Sequence, residues 1–208
     1  MNKEVRSMAE NIEFRDSDSG DQYIEGYALK FDTWSEDLGG FRESIHKDAL
    51  KNTDTSDVRA LFNHNADHII ARSAAGSLEL DVDDIGLKFR AKIPNTSYGR
   101  DLLENLRNGN VNQCSFGFCL AENGDEFTYD KEERSYKRIL RNIKEIVDVS
   151  VVTYPAYRDT DVTPALRSLE DAKQEVEEAE EEQQVEEQKQ AAYELKKRKL
   201  KLELELMD

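Results

Sequence analysis

The chain has 208 residues, 38% of them hydrophobic, which suits one compact domain with something less compact attached. Its 45 acidic and 29 basic residues leave a formal net charge of -16, which repels nucleic-acid phosphates and argues against nonspecific DNA or RNA binding. No stretch approaches the roughly 20 apolar residues of a membrane span; Met1–Phe14 carries no apolar core of the signal-peptide kind, and a cytosolic protein without a membrane partner is expected.

Tyr23, Tyr27, Leu29 and Phe31 surround Gly26 in an apolar segment that reads as a strand. Leu78–Val82 and Gly86–Ile93 alternate in hydropathy around Asp83-Asp84, the pattern of a hairpin. Tyr98–Asn108 carries Leu102, Leu103 and Leu106 at helical spacing, with Gly109 as its stop. Val111–Ala121 reads as a strand followed by an Asn123-Gly124 turn. Phe127–Tyr129 is expected to pair with Ser135–Leu140 across a charged turn, and Ile146–Val152 is a β-branched run ending before Tyr154-Pro155. The body is therefore read as α+β, with a largely antiparallel sheet that could close as a barrel.

All ten glycines and all three prolines precede residue 165, which sets a boundary near 165–168 and two domains, 1–166 and 167–208. Residues 168–188 hold ten acids and one lysine, whereas residues 189–201 hold six bases and one acid. Ser168 with Asp171 resembles an N-cap, and acid early with base late suits the helix dipole, so an extended acidic helix is expected. Leu169, Ala172, Val176 and Ala179 start a heptad seam that Gln183, Glu186 and Gln190 then interrupt. A solvated helical tail and a coiled coil both remain open there.

Two segments carry candidate chemistry. In Ala60-Leu61-Phe62-Asn63-His64-Asn65 an apolar pair runs into a histidine flanked by asparagines. Imidazole can take and return a proton near neutral pH, although a histidine bonded at a strand end fits the same pattern. In Asn112–Phe118, Ser115 sits among apolar residues beside Gly117, where amides could serve a developing oxyanion. A buried serine bonded to a carbonyl is the plainer alternative. Gln113 replaces the first glycine of a Gly-x-Ser-x-Gly elbow, so that motif is absent. Asp148, inside the β-branched run, needs a partner if buried; orienting His64 would provide one, and an exposed strand face shared with Ser150 would remove the need. Glu145 is the substitute for that role. His68 and His46 are expected to stay outside the reacting centre, with Asn63, Asn65 and Asp67 reading as a loop, and Arg100 as a surface arginine. Cys114 and Cys119, five apart, read as structural thiols on opposite strand faces, and no metal or cofactor is expected from the ligand spacing.

Five stretches in order resemble the prohead (procapsid maturation) serine proteases of tailed phages. They are Ile24-Glu25-Gly26-Tyr27-Ala28 through Phe31, Phe41–Ile45 through Ala49-Leu50, Leu61-Phe62-Asn63-His64, Ser115-Phe116-Gly117-Phe118, and Asp148–Thr153 with Pro155-Ala156. The resemblance covers roughly residues 23–160. It implies an endopeptidase that clips capsid-interior and scaffold protein, with the major capsid protein as a substrate, and that cuts itself, inside the assembling procapsid in the host cytoplasm. It implies Ser115 as nucleophile, His64 as general base and Asp148 as third member, where relatives commonly carry glutamate. It also implies distant kinship with herpesvirus assembly proteases, hence a barrel-like sheet wrapped by helices and a homo-oligomer such as a dimer. The alternative is a catalytically silent scaffolding protein that binds coat protein through its acidic tail.

Overall fold

The computed structural model describes residues 3–8, 12–16 and 20–154, together with 164–174 and shorter pieces at 176–178, 185–187, 189–190, 193 and 197. The chain forms two units, Met1–Leu166 and Arg167–Asp208.

The first unit is built from strands. In chain order they are β1 (Glu4–Met8), β2 (Glu13–Asp16), β3 (Gln22–Lys30), β4 (Phe41–Ile45), β5 (Arg59–Phe62), β6 (Asn65–Arg72), β7 (Leu78–Val82), β8 (Gly86–Lys92), helix α1 (Ser97–Arg107), β9 (Gln113–Leu120), β10 (Asp125–Asp130), β11 (Ser135–Leu140) and β12 (Ile143–Val152). They form three sheets, ordered β1-β9-β12-β5-β6, β10-β11-β4 and β2-β3-β8-β7. Buried side chains from all three sheets, including Ile24, Phe89, Ile45, Leu140, Phe116 and Val149, meet in one core. Burial of this kind supplies the main drive for folding.

Local chemistry explains several elements. In β8, Leu87, Phe89 and Ala91 alternate inward, the period of a half-buried strand. Asp83 closes the β7–β8 turn by accepting from the amides of Ile85 and Gly86, and the Tyr27 hydroxyl donates to its other carboxylate oxygen at 2.6 Å. Thr96 caps α1 by accepting from the Gly99 amide, Leu102 and Leu103 face the core, and Gly109 turns the chain away at a φ of 70°. Cys114 through Cys119 are all buried, so β9 is a central strand covered on both faces.

Three expectations are corrected. The described strands do not close a barrel. Each sheet ends on two edge strands, and the edges β2, β7 and β10 carry Glu13 and Arg15, Glu79 and Asp81, and Asp125 and Glu126, charges of the kind that stop a sheet from growing. The expected helical wrapping reduces to α1, a 3-10 turn at Ser73–Ala75 and the helical residues 164–166 among the described residues of this unit. The Asn63–Asp67 stretch is not a loop: β6 begins at Asn65, because a two-residue turn suffices to return the chain. Most pairings are antiparallel as expected, with parallel exceptions β12–β5 and β11–β4.

In the second unit residues 167–174, 176–178 and 185–187 are helical. Of the interrupted seam, Leu169, Ala172, Val176, Glu186 and Gln190 are helical, whereas Ala179, Gln183 and most of the rest of the expected acidic helix lie outside the described residues. No helix among the described residues is long and apolar enough to cross a membrane.

Candidate active site

Strand register brings the candidate residues together. In the β9–β12 ladder Ser115 lies opposite Ser150 and Gly117 opposite Asp148. An irregularity between Ile146 and Asp148 resets the alternation, which places Asp148 and Ser150 on the face that carries Ser115. β12 also pairs with β5, whose end leads into the turn Asn63-His64. Both turn residues have positive φ (53° and 54°), as a tight hairpin of the primed type requires, and asparagine tolerates this region better than most residues. The Asn63 side chain pins the turn to the end of β12: its Oδ1 accepts from the Thr153 amide at 2.9 Å and its Nδ2 donates to Thr153 Oγ1 at 3.1 Å.

The outcome is a hydrogen-bonded row. His64 Nε2 lies 2.7 Å from Ser115 Oγ, and His64 Nδ1 lies 2.6 Å from Asp148 Oδ1. With the ring proton on Nδ1 donated to the carboxylate, the lone pair of Nε2 faces the hydroxyl. Ser150 Oγ donates to Asp148 Oδ1 at 2.7 Å and sits 3.1 Å from His64 Nδ1. Lys3 Nζ is 2.6 Å from Asp148 Oδ2. Burial opposes ionisation of Asp148, but hydrogen bonding and charge from His64 and Lys3 outweigh it and hold the carboxyl below the usual range. Chemically, such a row can take a proton from a hydroxyl, hold it on imidazole and balance the imidazolium with a carboxylate.

Ser115 is fully buried, and strand β1 covers it. β1 runs antiparallel along β9 with Ser7 opposite Ser115 and Val5 opposite Gly117. The Ser115 hydroxyl has one proton and two acceptors in reach, His64 Nε2 and the Arg6 carbonyl oxygen at 2.8 Å. Ser115–Gly117 therefore lie between β1 and β12 in the sheet, whereas the sequence suggested amides open to an oxyanion.

The other face of β1 carries charge into the interior. Arg6 donates to both carboxylate oxygens of Glu43 at 2.8 and 3.0 Å and to Glu4 at 2.6 Å. Arg138, 1% exposed, donates to Glu4 at 2.7 and 2.9 Å, to Glu43 at 2.7 Å and to Asp125 at 2.7 Å. Burial opposes charge on Glu4, yet Arg138 and Arg6 prevail and lower its pKa. Burial likewise opposes the Arg138 charge, and its acidic partners more than reverse that.

The remaining sequence candidates lie elsewhere. Glu145 stands opposite Cys119 in the β9–β12 ladder and is not among the hydrogen-bond partners of His64. His68 packs on the Tyr98 ring at 5.4 Å and reaches Asn65, while His46 accepts from the Asp48 amide. Arg100 bonds Asn95. Burial pushes the Cys114 thiol up to about 12, which makes it inert, and also raises Cys119. Among the described residues no group of His, Cys, Asp and Glu could hold a metal ion. Sequence reasoning missed Ser150 as a partner, though two residues on from Asp148 in a strand means the same face. It also missed Lys3, Glu4 and Arg6, whose short segment carries little periodic signal.

Known proteins are similar to this chain over most of its length. The sequence model described as caudovirus prohead serine protease matches residues 10–175. The prohead protease of Enterobacteria phage HK97 is 29% identical over 163 residues, covering 77% of this chain and 68% of that protein. The solved structure of the bacteriophage T4 capsid assembly protease aligns with 73% of this chain and 97% of its own, at 15% identity and a TM-score of 0.46. Since the match to residues 10–175 spans well over half of the chain, this chain belongs to the caudovirus prohead serine protease family.

Proposed function

We propose that the chain is a serine endopeptidase of procapsid maturation, acting inside the procapsid on capsid and scaffold protein and on itself, with Ser115 as nucleophile, His64 as general base and Asp148 as the group that orients and balances His64. The observation that carries this reading is the row Ser115–His64–Asp148 at 2.7 and 2.6 Å.

In the reaction, Ser115 Oγ attacks the scissile carbonyl carbon while its proton passes to His64 Nε2. Asp148 keeps the Nδ1 proton in place and stabilises the imidazolium. His64 then protonates the amine as the C–N bond breaks, and water repeats the cycle on the acyl-enzyme. Because β1 covers Ser115, a substrate reaches the nucleophile only when β1 leaves β9. That arrangement suits an enzyme kept silent until assembly, and it lays a stretch of the enzyme's own backbone against its nucleophile, in support of self-cleavage.

The test uses single and double variants on the cognate major capsid protein. Ser115→Ala and His64→Ala should each lower kcat on the order of a million-fold, and the double variant should fall no further, because the two act as one unit. Full cleavage by either single variant would refute the assignment.

A further inference from the structure

The charges that anchor β1 form a pocket with a specific demand. Arg138 and Glu43 are direct partners in the β11–β4 ladder, and Asp125 reaches Arg138 from β10. Glu4 and Arg6 alternate inward from β1 and complete their bonding. Remove β1 and the set left behind, Glu43, Asp125 and Arg138, carries two negative charges and one positive. The carboxylate of Glu43 then loses both bonds to Arg6, and the fork of Arg138 loses both bonds to Glu4. Glu43 and Arg138 keep their bond to each other and Arg138 keeps Asp125, but both are left short of partners, so the vacated pocket favours an occupant that restores the lost bonds. It needs a guanidinium or ammonium against Glu43 and a carboxylate against Arg138, two residues apart on one extended strand, since that is the spacing of Arg6 and Glu4. The position relative to the nucleophile is also set: the carbonyl within 2.8 Å of Ser115 Oγ belongs to Arg6, the residue in the basic position.

We infer that β1 occupies the place of the substrate strand, and that Glu43 and Arg138 select peptide segments of the form acid-x-base, cut directly after the base. This rests on the serine-protease reading above. A substrate strand adds to the edge of β9 by backbone pairing, and the two charged side chains give the selectivity. Ser115 Oγ bonds to the carbonyl carbon of the basic residue, the following amine leaves with a proton from His64, and water releases the new carboxylate. In the chain itself the pattern recurs, for example at Glu13-Phe14-Arg15 and Asp57-Val58-Arg59, and the bond that lies at Ser115 is Arg6–Ser7, within Glu4-Val5-Arg6-Ser7.

The test uses the full-length chain, its Ser115→Ala control and three hexapeptides, with cut sites read by mass spectrometry in the peptides and in the chain. The peptides are Lys-Glu-Val-Arg-Ser-Met, which copies residues 3–8, its charge-exchanged form Lys-Arg-Val-Glu-Ser-Met, and the neutral Lys-Gln-Val-Gln-Ser-Met. The expected result is a cut after arginine in the first peptide, with kcat/KM at least about tenfold above the other two. Glu43→Gln should shrink that preference, and the comparison among peptides on the unaltered chain holds even if this variant folds poorly. Ser115-dependent cuts that treat the three peptides alike, or that fall in the chain at sites without the pattern, would overturn the inference and leave the protease standing. A chain that cuts neither itself nor any peptide nor capsid protein would overturn the protease reading as well.

Discussion

Gly117 makes the space in which Asp148 reaches His64. A Cβ at this position would lie 2.5 Å from Asp148 Oδ2 and nearer still to Lys3 Cε. The lysine tip can swing aside, but the carboxylate is held between His64 and Ser150. Gly117→Ala is therefore expected to lower kcat at least about tenfold, at a stability cost of about 1–3 kcal/mol from overpacking. Steady-state kinetics and urea melts measure both, and an unchanged kcat would show that Asp148 does not need this position. Asp148→Asn keeps the shape while removing the charge that balances the imidazolium, so kcat should fall by roughly 10⁴. Ser115 and Asp148 stand out among apolar neighbours, whereas His64 lies between two asparagines, and the residues alone left a plainer reading open for all three, so their proposed roles were legible through the resemblance to the phage proteases. Ser150 was less so, since a serine beside an aspartate on a strand looks like an ordinary solvent face until burial is known.

The β5–β6 turn and strand β1 decide how the site is held. Asn63 bonds the Thr153 side chain and backbone, and so fixes a histidine at positive φ against β12. Asn63→Ala should cost about 1–2 kcal/mol and lower kcat while leaving KM nearly unchanged, because the base is misplaced and no proposed substrate contact is lost. Thermal melts and kinetics check this, and a raised KM alone would place Asn63 in substrate binding instead. At the buried cluster, Arg138→Met leaves Glu4, Glu43 and Asp125 facing one another with Arg6 as the remaining cation, and should cost about 3–5 kcal/mol in urea unfolding. A variant as stable as the parent would show that burial there is incomplete. The hairpins β7–β8 and β10–β11, helix α1 and strands β9 and β12 were readable because their signals are local: alternation, turn residues and a cap. The pairing of β1 with β9 spans more than a hundred residues of sequence and rests on charges that bond only after folding, so no local pattern announces it. The absence of barrel closure was hidden for a similar reason, since edges are settled by which strands find partners.

Across the whole molecule, paired carboxylates set the response to acid. Glu4 and Asp148 are held below their usual range inside, and Asp57 and Asp130 are lowered to about 2 by Arg72 and Lys137 on the surface. A folded pKa below the unfolded one contributes stability above the unfolded value, near 4 for these groups, which is lost as pH falls through the folded value. The urea midpoint should thus hold steady from pH 7 to pH 5 and drop below about pH 4, and a midpoint unchanged at pH 3 would contradict the ion-pair description. The net charge is -16, and the acidic stretch 168–188 lies in the second unit. The central claim concerns Ser115, and intact mass followed over time tests it most directly, with wild-type and Ser115→Ala chains incubated alone and with the cognate coat protein. Fragments of chain and coat protein that accumulate with wild type and never with Ser115→Ala are the predicted result. Two chains that stay equally whole beside uncut coat protein would contradict it and favour a silent scaffolding role.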